Sequence, residues 1–334
     1  KKFMSTYKEI RGINIQSRDA DPTALEGDVW YNTGASILKM YTVGAGTWAT
    51  GDSINTARFT GTTAKNAAAT AALITGGETS PPTSTGATET YDGSSWTETG
   101  DLNLARSEMA GAGTATAALC FSGWNVSGDA YNPECESFDG SSWTEVADVN
   151  YDRGEGDGCG TQTAALFFGG QNSDDYSPWF GTYSESWDGS SWTEGPNTNA
   201  GRAYVGGCGV QTAALMYAGN PAPLAQLTES YDGSSWTEVG DLNADAYTGG
   251  AFGIQTAAIA AGGDPGRKVT VEEWNGTSWT EVNNVSVVRN STFAGAAGGI
   301  SAGYLTGGQL ATAGMSNATE DWVQAVAAQT IAVD

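Results

Sequence analysis

Short apolar runs that end in small residues recur six times along the chain. They are TAALITGG, TAALCFSG, TAALFFGG, TAALMYAG, TAAIAAGG and SAGYLTGG. A Gly-rich stretch such as GGCGVQT leads into the run, and a polar stretch follows it. Next come an aromatic residue, a two-residue turn signal and a Trp, as in ESYDGSSWTEV. Asp-Gly and Asn-Gly tolerate the positive φ of a tight turn, so YDGSSW predicts a hairpin. No segment shows the period of an amphipathic helix. Each unit therefore predicts four strands: a Gly-rich first, an apolar second, a third ending in the aromatic, and a fourth carrying the Trp.

The repeat is regular at three further positions. Trp48, Trp96, Trp143, Trp192, Trp236 and Trp279 follow one another at intervals of 43 to 49 residues. Tyr91, Phe138, Trp187, Tyr231 and Trp274 stand five residues before the last five of these. Arg58, Arg106, Arg153, Arg202 and Arg289 stand ten residues after a Trp, and Ala246 breaks that rule once. One four-stranded sheet cannot bury both of its faces, whereas copies arranged around an axis can. The expected fold is an all-β propeller of four-stranded antiparallel blades. Glycine and alanine in the first two strands suit the crowded inner end, and the large aromatics suit the outer end.

Two blade counts are open. In one, six blades close by pairing the Trp48 strand with the last blade, after Trp322. In the other, RGINIQS, DVWYNT, ILKMYT and GTWAT form a divergent seventh blade, and TIAVD completes the last. Seven is slightly preferred, and either count closes the ring with strands from both chain ends. The expected division is residues 1–36 as a lead segment, or part of a divergent blade, and 37–334 as the propeller. Lys1–Phe3 precede a methionine, which fits a natural start at Met4.

A second strand ending in Gly-Gly, a third-strand aromatic and a fourth-strand Trp about five residues on resemble the kelch repeat, over residues from about 37 to 323. GTQTAALFFGG and ESWDGSSWTE are similar to kelch-type repeats in structural proteins of tailed bacteriophages, marine ones especially. IRGINIQSRDADPTALEGDVWYNTGASILKMY resembles a lead segment of phage tail or appendage proteins. The resemblance implies a virion protein, made in the host cytoplasm and assembled on the particle beside other virion proteins.

Composition narrows the chemistry. The chain has 334 residues, 14 basic against 38 acidic, and a formal net charge of −24. Nucleic acid and anionic membrane surfaces both need clustered Lys and Arg, so neither is an expected partner. No apolar run is long enough for a membrane-spanning helix. There is no histidine, which removes Ser-His-Asp and Cys-His nucleophile systems, nearly all zinc sites, and the copper site of kelch-like oxidases. The sialidase turn motif places five residues from Asp to Trp, whereas SYDGSSW places Trp236 four after Asp232. The expectation is no enzyme, no catalytic residue, no cofactor and no metal. SDDYS lacks EF-hand spacing. The periodic arginines, at the start of the first strand, are expected to do one structural task per unit by bridging to an adjacent loop. Cys159 and Cys208 occupy equivalent positions and predict packing. For Cys120 and Cys135 a cross-strand disulfide is one reading and free buried thiols the preferred one.

Units differ most between the second and third strands, and antiparallel order brings those connections to one end of the sheets. Divergent loops on a rigid scaffold make recognition surfaces. Two of them are rich in aromatics: Trp124 and Tyr131, then Tyr176, Trp179, Phe180 and Tyr183, with Asp174 and Asp175 alongside. Aromatics there stack on sugars or anchor a protein, or else fold back over the sheet edge. The first expectation is a tail-fibre, appendage or receptor-binding protein that recognises host surface glycan or protein. The alternatives are a purely structural capsid or tail subunit and, less favoured, a glycan-active enzyme using Glu155, Asp157 or Asp174.

Overall fold

Five Asp-Gly or Asn-Gly pairs close hairpins in the computed structural model, which describes residues 16–23, 28–81, 83–172, 180–247, 249–296, 298–311 and 314–331. The glycines there have φ between 92° and 98°. In the first of these turns the Asp92 carboxylate accepts from the backbone N–H groups of Ser94 and Ser95, each at 2.9 Å. A short acidic side chain is thus the turn's own cap, and glycine alone takes the left-handed position without cost.

Thr47–Val323 forms one compact unit and contains six four-stranded antiparallel sheets. Sheet 1 is Thr62–Thr63, Leu73–Thr75, Thr88–Tyr91 and Trp96–Glu98, and sheet 2 is Ala110–Thr114, Ala117–Phe121, Cys135–Phe138 and Trp143–Val146. Sheet 3 is Asp157–Thr161, Ala164–Phe168, Ser184–Trp187 and Trp192–Glu194, and sheet 4 is Gly206–Val210, Ala213–Tyr217, Thr228–Tyr231 and Trp236–Glu238. Sheet 5 is Gly250–Ile254, Ala257–Gly263, Lys268–Trp274 and Trp279–Val282. Sheet 6 is Phe293–Gly295, Ala302–Thr306 and Thr319–Val323, completed by Thr47–Gly51. The fold is all-β and propeller-like. The one described helical turn of this unit is the 3-10 turn Leu224–Gln226. No helix among the described residues is long and apolar enough to cross a membrane.

Residues 1–46 and 324–334 form the second unit. Its sheet runs Gln16–Arg18, Val29–Asn32, Ile37–Val43 and Val326–Thr330, with the first pair parallel and the others antiparallel. The seven-blade strand assignment is corrected by these pairings. GTWAT joins Trp322 in sheet 6, with Trp48 opposite Trp322, so it is not the fourth strand of a seventh sheet. The strand of ILKMYTV pairs with Val326–Thr330 instead of continuing to GTWAT. Ring–ring contact explains the choice: Trp48 and Trp322 lie 5.2 Å apart, the same pairing the other five units make internally.

Each periodic Trp has two contacts. It packs on the third-strand aromatic of its own sheet at 5.0 to 5.5 Å. It also meets an aromatic of another sheet in five cases: Phe121 with Trp192, Phe168 with Trp236, Tyr217 with Trp279, Phe252 with Trp48, and Tyr304 of sheet 6 with Trp96 of sheet 1. Trp143 instead donates to the Thr88 hydroxyl at 2.9 Å. Such pairs add about 0.5–1.5 kcal/mol each beyond the area they bury. A second link between sheets comes from the glutamine after the first strand. Gln162, Gln211 and Gln255 donate to the carbonyls of Phe138, Trp187 and Tyr231, each at 2.5 Å.

All four cysteines are buried and free. Cys135 lies opposite Phe121, and Cys120 opposite Glu136. The one-residue offset puts the two thiols on opposite faces of sheet 2, where Cys120 touches Met109 and Cys135 joins the core with Trp187 and Trp192.

Candidate functional site

The periodic arginines are fully buried, and each pairs with a buried glutamate of its own sheet. The pairs are Arg58–Glu89, Arg106–Glu136, Arg153–Glu185, Arg202–Glu229 and Arg289–Glu320, at 2.6 to 3.0 Å. This differs from the expected bridge to a neighbouring loop. The glutamate stands two residues before the third-strand aromatic, in ETY, ESF, ESW, ESY and EDW, a signal present in the sequence but masked by the more conspicuous DGSSW beside it. In sheets 1 to 5 the carboxylate also accepts from the backbone and side-chain amides of an asparagine: Asn55, Asn103, Asn150, Asn199 and Asn243. Ser286 takes that place in sheet 6. A charged group excluded from water needs this many partners. Around Arg153 the frame is tightest: Nε donates to Gly169 O at 2.9 Å, and the guanidinium lies 3.7 Å above the Phe167 ring.

Two residues past each arginine the backbone enters the left-handed region. Thr60, Glu108, Glu155, Tyr204 and Ser291 have φ of 55°, 58°, 61°, 58° and 51°. Thr248, the equivalent in sheet 5, lies outside the described residues. These positions are hydrogen-bonded to one another across sheets. Glu108 N donates to Thr60 O at 2.5 Å, Glu155 N to Glu108 O at 3.0 Å, Tyr204 N to Glu155 O at 2.6 Å, and Thr60 N to Ser291 O at 3.2 Å. A non-glycine residue held there costs about 1–3 kcal/mol, and such outliers cluster where a fold positions side chains for use.

The five side chains line one cavity of about 110 Å³, together with Thr62, Thr63, Lys65 and Asp157. Lys65 Nζ is bonded to Asp157 Oδ2 at 2.8 Å, and Asp157 also accepts from Gly207 N at 2.7 Å. Burial, then Glu78, pushes the Glu108 carboxyl up to about 7. Burial, then Glu108, raises Glu155 well above the ordinary carboxylate range. Burial, then the nearby Glu155 carboxylate, raises the Tyr204 hydroxyl. Two carboxyls of raised pKa, ringed by hydroxyls and tyrosines, can hold polyols, amines or a shared proton. No cluster of three or more metal-ligating acidic or sulfur side chains occurs among the described residues.

The loop aromatics separate. Trp124 and Tyr131 face each other on a small hairpin, rings 5.0 Å apart and edge-on. Tyr131 reaches toward the cavity: a Cβ on Gly154 would lie 2.3 Å from Tyr131 Cε1 and 3.3 Å from Glu108 Oε2. Its hydroxyl accepts from Gln171 Nε2 at 2.6 Å. Tyr183 instead stacks on Tyr151 at 4.5 Å, and Phe180 bridges to Gln171 through the backbone. Asp174, Asp175, Tyr176 and Trp179 lie outside the described residues. Of the acids named from sequence, Glu155 and Asp157 line the cavity and Asp174 is outside the description. Glu108, Tyr204, Thr60 and Ser291 were missed. Their signal is variation at a fixed offset of two from a constant arginine.

No protein-family model matches the sequence. No curated protein matches it either. Among solved structures the chain is similar to one described as "Structure of YjhT", with a TM-score of 0.65 and 14% identity, over 84% of this chain and 99% of that one. At that identity the likeness speaks for the fold alone.

Proposed function

We propose that the chain is a non-enzymatic virion protein of a tailed bacteriophage, a tail-fibre or other appendage component built on a six-bladed kelch-like propeller. Sheets 1 to 6 are its blades, and the cavity lies where its axis opens among the variable loops. It recognises host surface glycan through that end, and residues 1–36 serve to dock it to other virion proteins. The phage resemblance of the repeats motivates the setting. One observation carries the binding role. The Arg–Glu frame is nearly constant from sheet to sheet, while the side chains it holds at the cavity are Thr, Glu, Glu, Tyr and Ser. A frame repeated for stability alone does not require five left-handed positions whose side chains line one cavity and differ from sheet to sheet.

A glycan array probed with the purified full chain tests this. Binding to a host-type polysaccharide is expected, weakened at least about tenfold by Glu155→Gln combined with Tyr131→Phe. Binding unaffected by that pair, and by Trp124→Ala, overturns the site. A virion map that buries this end under neighbouring subunits would favour a purely structural capsid or tail protein.

The two carboxyls favour a second reading, a glycan-active enzyme, because an acid and a base held at different protonation states are the minimum for glycosyl chemistry. Cleavage of a polysaccharide by the wild type, abolished in Glu108→Gln and in Glu155→Gln, would replace the binding role with this one.

A further inference from the structure

We propose that the cavity accepts a cationic group, the protonated primary amine of an amino sugar, between the carboxyls of Glu108 and Glu155. The inference rests on the glycan reading above and specifies its ligand.

Charge selects the class. Four charged side chains line the cavity: Lys65, Glu108, Glu155 and Asp157. Lys65 and Asp157 are already joined at 2.8 Å, so the remaining two are both acidic. Glu78 stands behind them, held by the Ser107 hydroxyl at 3.3 Å. An anionic sugar would find no counter-charge in this pair, whereas a cation gains from the ionisation of either carboxyl in a partly desolvated space. A metal ion would need more ligands than this pair provides, and no larger cluster exists among the described residues.

A second observation is independent of charge. Glu155 Oε2 is buried, with no hydrogen-bond partner. A buried acceptor left unpaired costs about 1–3 kcal/mol. Once Glu155 ionises, what is missing beside Oε2 is a donor, and an ammonium brings three. The donor has to come from the cavity side, because the backbone N–H and C=O of Glu155 are already bonded to Glu108 and Tyr204. Tyr131 and Tyr204 add aromatic surface close to the carboxyls, which suits a cation.

Proton balance follows from the same geometry. Burial holds Glu108 protonated up to about pH 7 and Glu155 beyond the ordinary range. Placing a cation between them favours the ionised forms, so binding expels protons to solvent. The groups that face this exchange are Glu78, Glu108, Glu155, Tyr131, Tyr204, Lys65 and Asp157.

Calorimetric titration of the full chain at pH 6.5 with glucosamine, glucose and N-acetylglucosamine tests it, since the three differ at one carbon. Glucosamine is expected to bind at least about tenfold more tightly than the other two, and to release protons when buffers of different ionisation enthalpy are compared. Glu155→Gln and Glu108→Gln should each erase the preference; melting curves identify a variant that fails to fold, and the other then decides. Equal binding of all three sugars, or preference for a neutral one, overturns the inference. If the glycan array gives a bound polysaccharide that glucosamine cannot displace, the amine assignment fails and the glycan reading survives. If neither array nor titration shows binding, both fall.

Discussion

Sheets 3 and 5 solve one problem in two ways. In sheet 3 the second and third strands part after Phe168 and Ser184, and a long connection follows. Arg153 spans the opening: it binds Gly169 O, pairs with Glu185 at 2.6 Å and lies over Phe167. In sheet 5 the same two strands stay paired through a bulge to Gly263 and Lys268. Their connection is the shortest of the six, and Ala246 stands where the arginine would be. The guanidinium is thus needed where strands diverge into a long loop and is dispensable where the ladder continues. Glu272 keeps three backbone or side-chain N–H donors from Asn243 and Ala244 and forms no ion pair among the described residues. Loop length and arginine come as a pair, because the loop leaves carbonyls that the ladder no longer reaches.

The largest expected effect breaks the paired case. Arg153→Ala strands a buried carboxylate and a buried carbonyl and removes the contact with Phe167. Loss of one partner of a buried pair costs about 3–5 kcal/mol, read as a shift of the urea midpoint of the full chain. Glu272→Gln in sheet 5 should cost no more than about 1 kcal/mol, because both Asn243 donors reach Oε2, which a glutamine oxygen replaces, and only the long 3.3 Å contact from Ala244 N is lost. Equal losses in the two variants would end the comparison.

That contrast also marks how far the sequence could be read. The hairpins, the Trp positions and the arginine period were legible because each is local and repeated. Glu89 and its equivalents were equally regular, yet nothing in a one-dimensional pattern says that a glutamate three strands along faces an arginine. Trp48 opposite Trp322 was legible only as one of two options, since a partner at the far end of the chain leaves no local mark. The cavity residues were hidden for the opposite reason. Thr60, Glu108, Tyr204 and Ser291 share a conformation with Glu155 but not one residue type, so a search for repeated residues passes over them. Of the loop aromatics, Tyr131 lies against Gly154 toward the cavity while Tyr183 stacks on Tyr151, and composition cannot separate those outcomes.

A middle-sized effect comes from carboxyls that have neither guanidinium nor a cage of amides. Burial holds the Glu108 carboxyl at about 7 in the folded chain, against the ordinary 4.5 of a free glutamate. The folded state then holds a proton that the unfolded chain has released, so stability declines as pH rises between those values. The group's contribution is fully present below about pH 4.5 and lost above about 7, on the order of 2 kcal/mol after allowance for its partial exposure. Glu108→Gln should flatten that part of the stability curve. Glu185→Gln should leave that slope in place, because Glu185 does not line the cavity, and lower stability by stranding the buried Arg153. Identical slopes in wild type and Glu108→Gln would show that the cavity carboxyl titrates as an ordinary surface group.

The smallest effect is the sharpest test of why sheet 5 lacks its arginine. Ala246→Arg offers Glu272 the guanidinium that Glu229 has from Arg202 at 2.9 Å. If the arginine served the carboxylate alone, the substitution would add several kcal/mol. The continued ladder to Gly263 and Lys268 leaves no carbonyls of the kind Arg153 and Arg202 bind at Gly169 and Leu227. A newly buried guanidinium then faces its desolvation cost with one partner instead of several. The expected change is within about 1 kcal/mol of zero, measured by urea unfolding. Lengthening the Gly263–Lys268 connection to that of sheet 3 should make the same substitution stabilising, because the opened strands would expose the carbonyls that a guanidinium can bind.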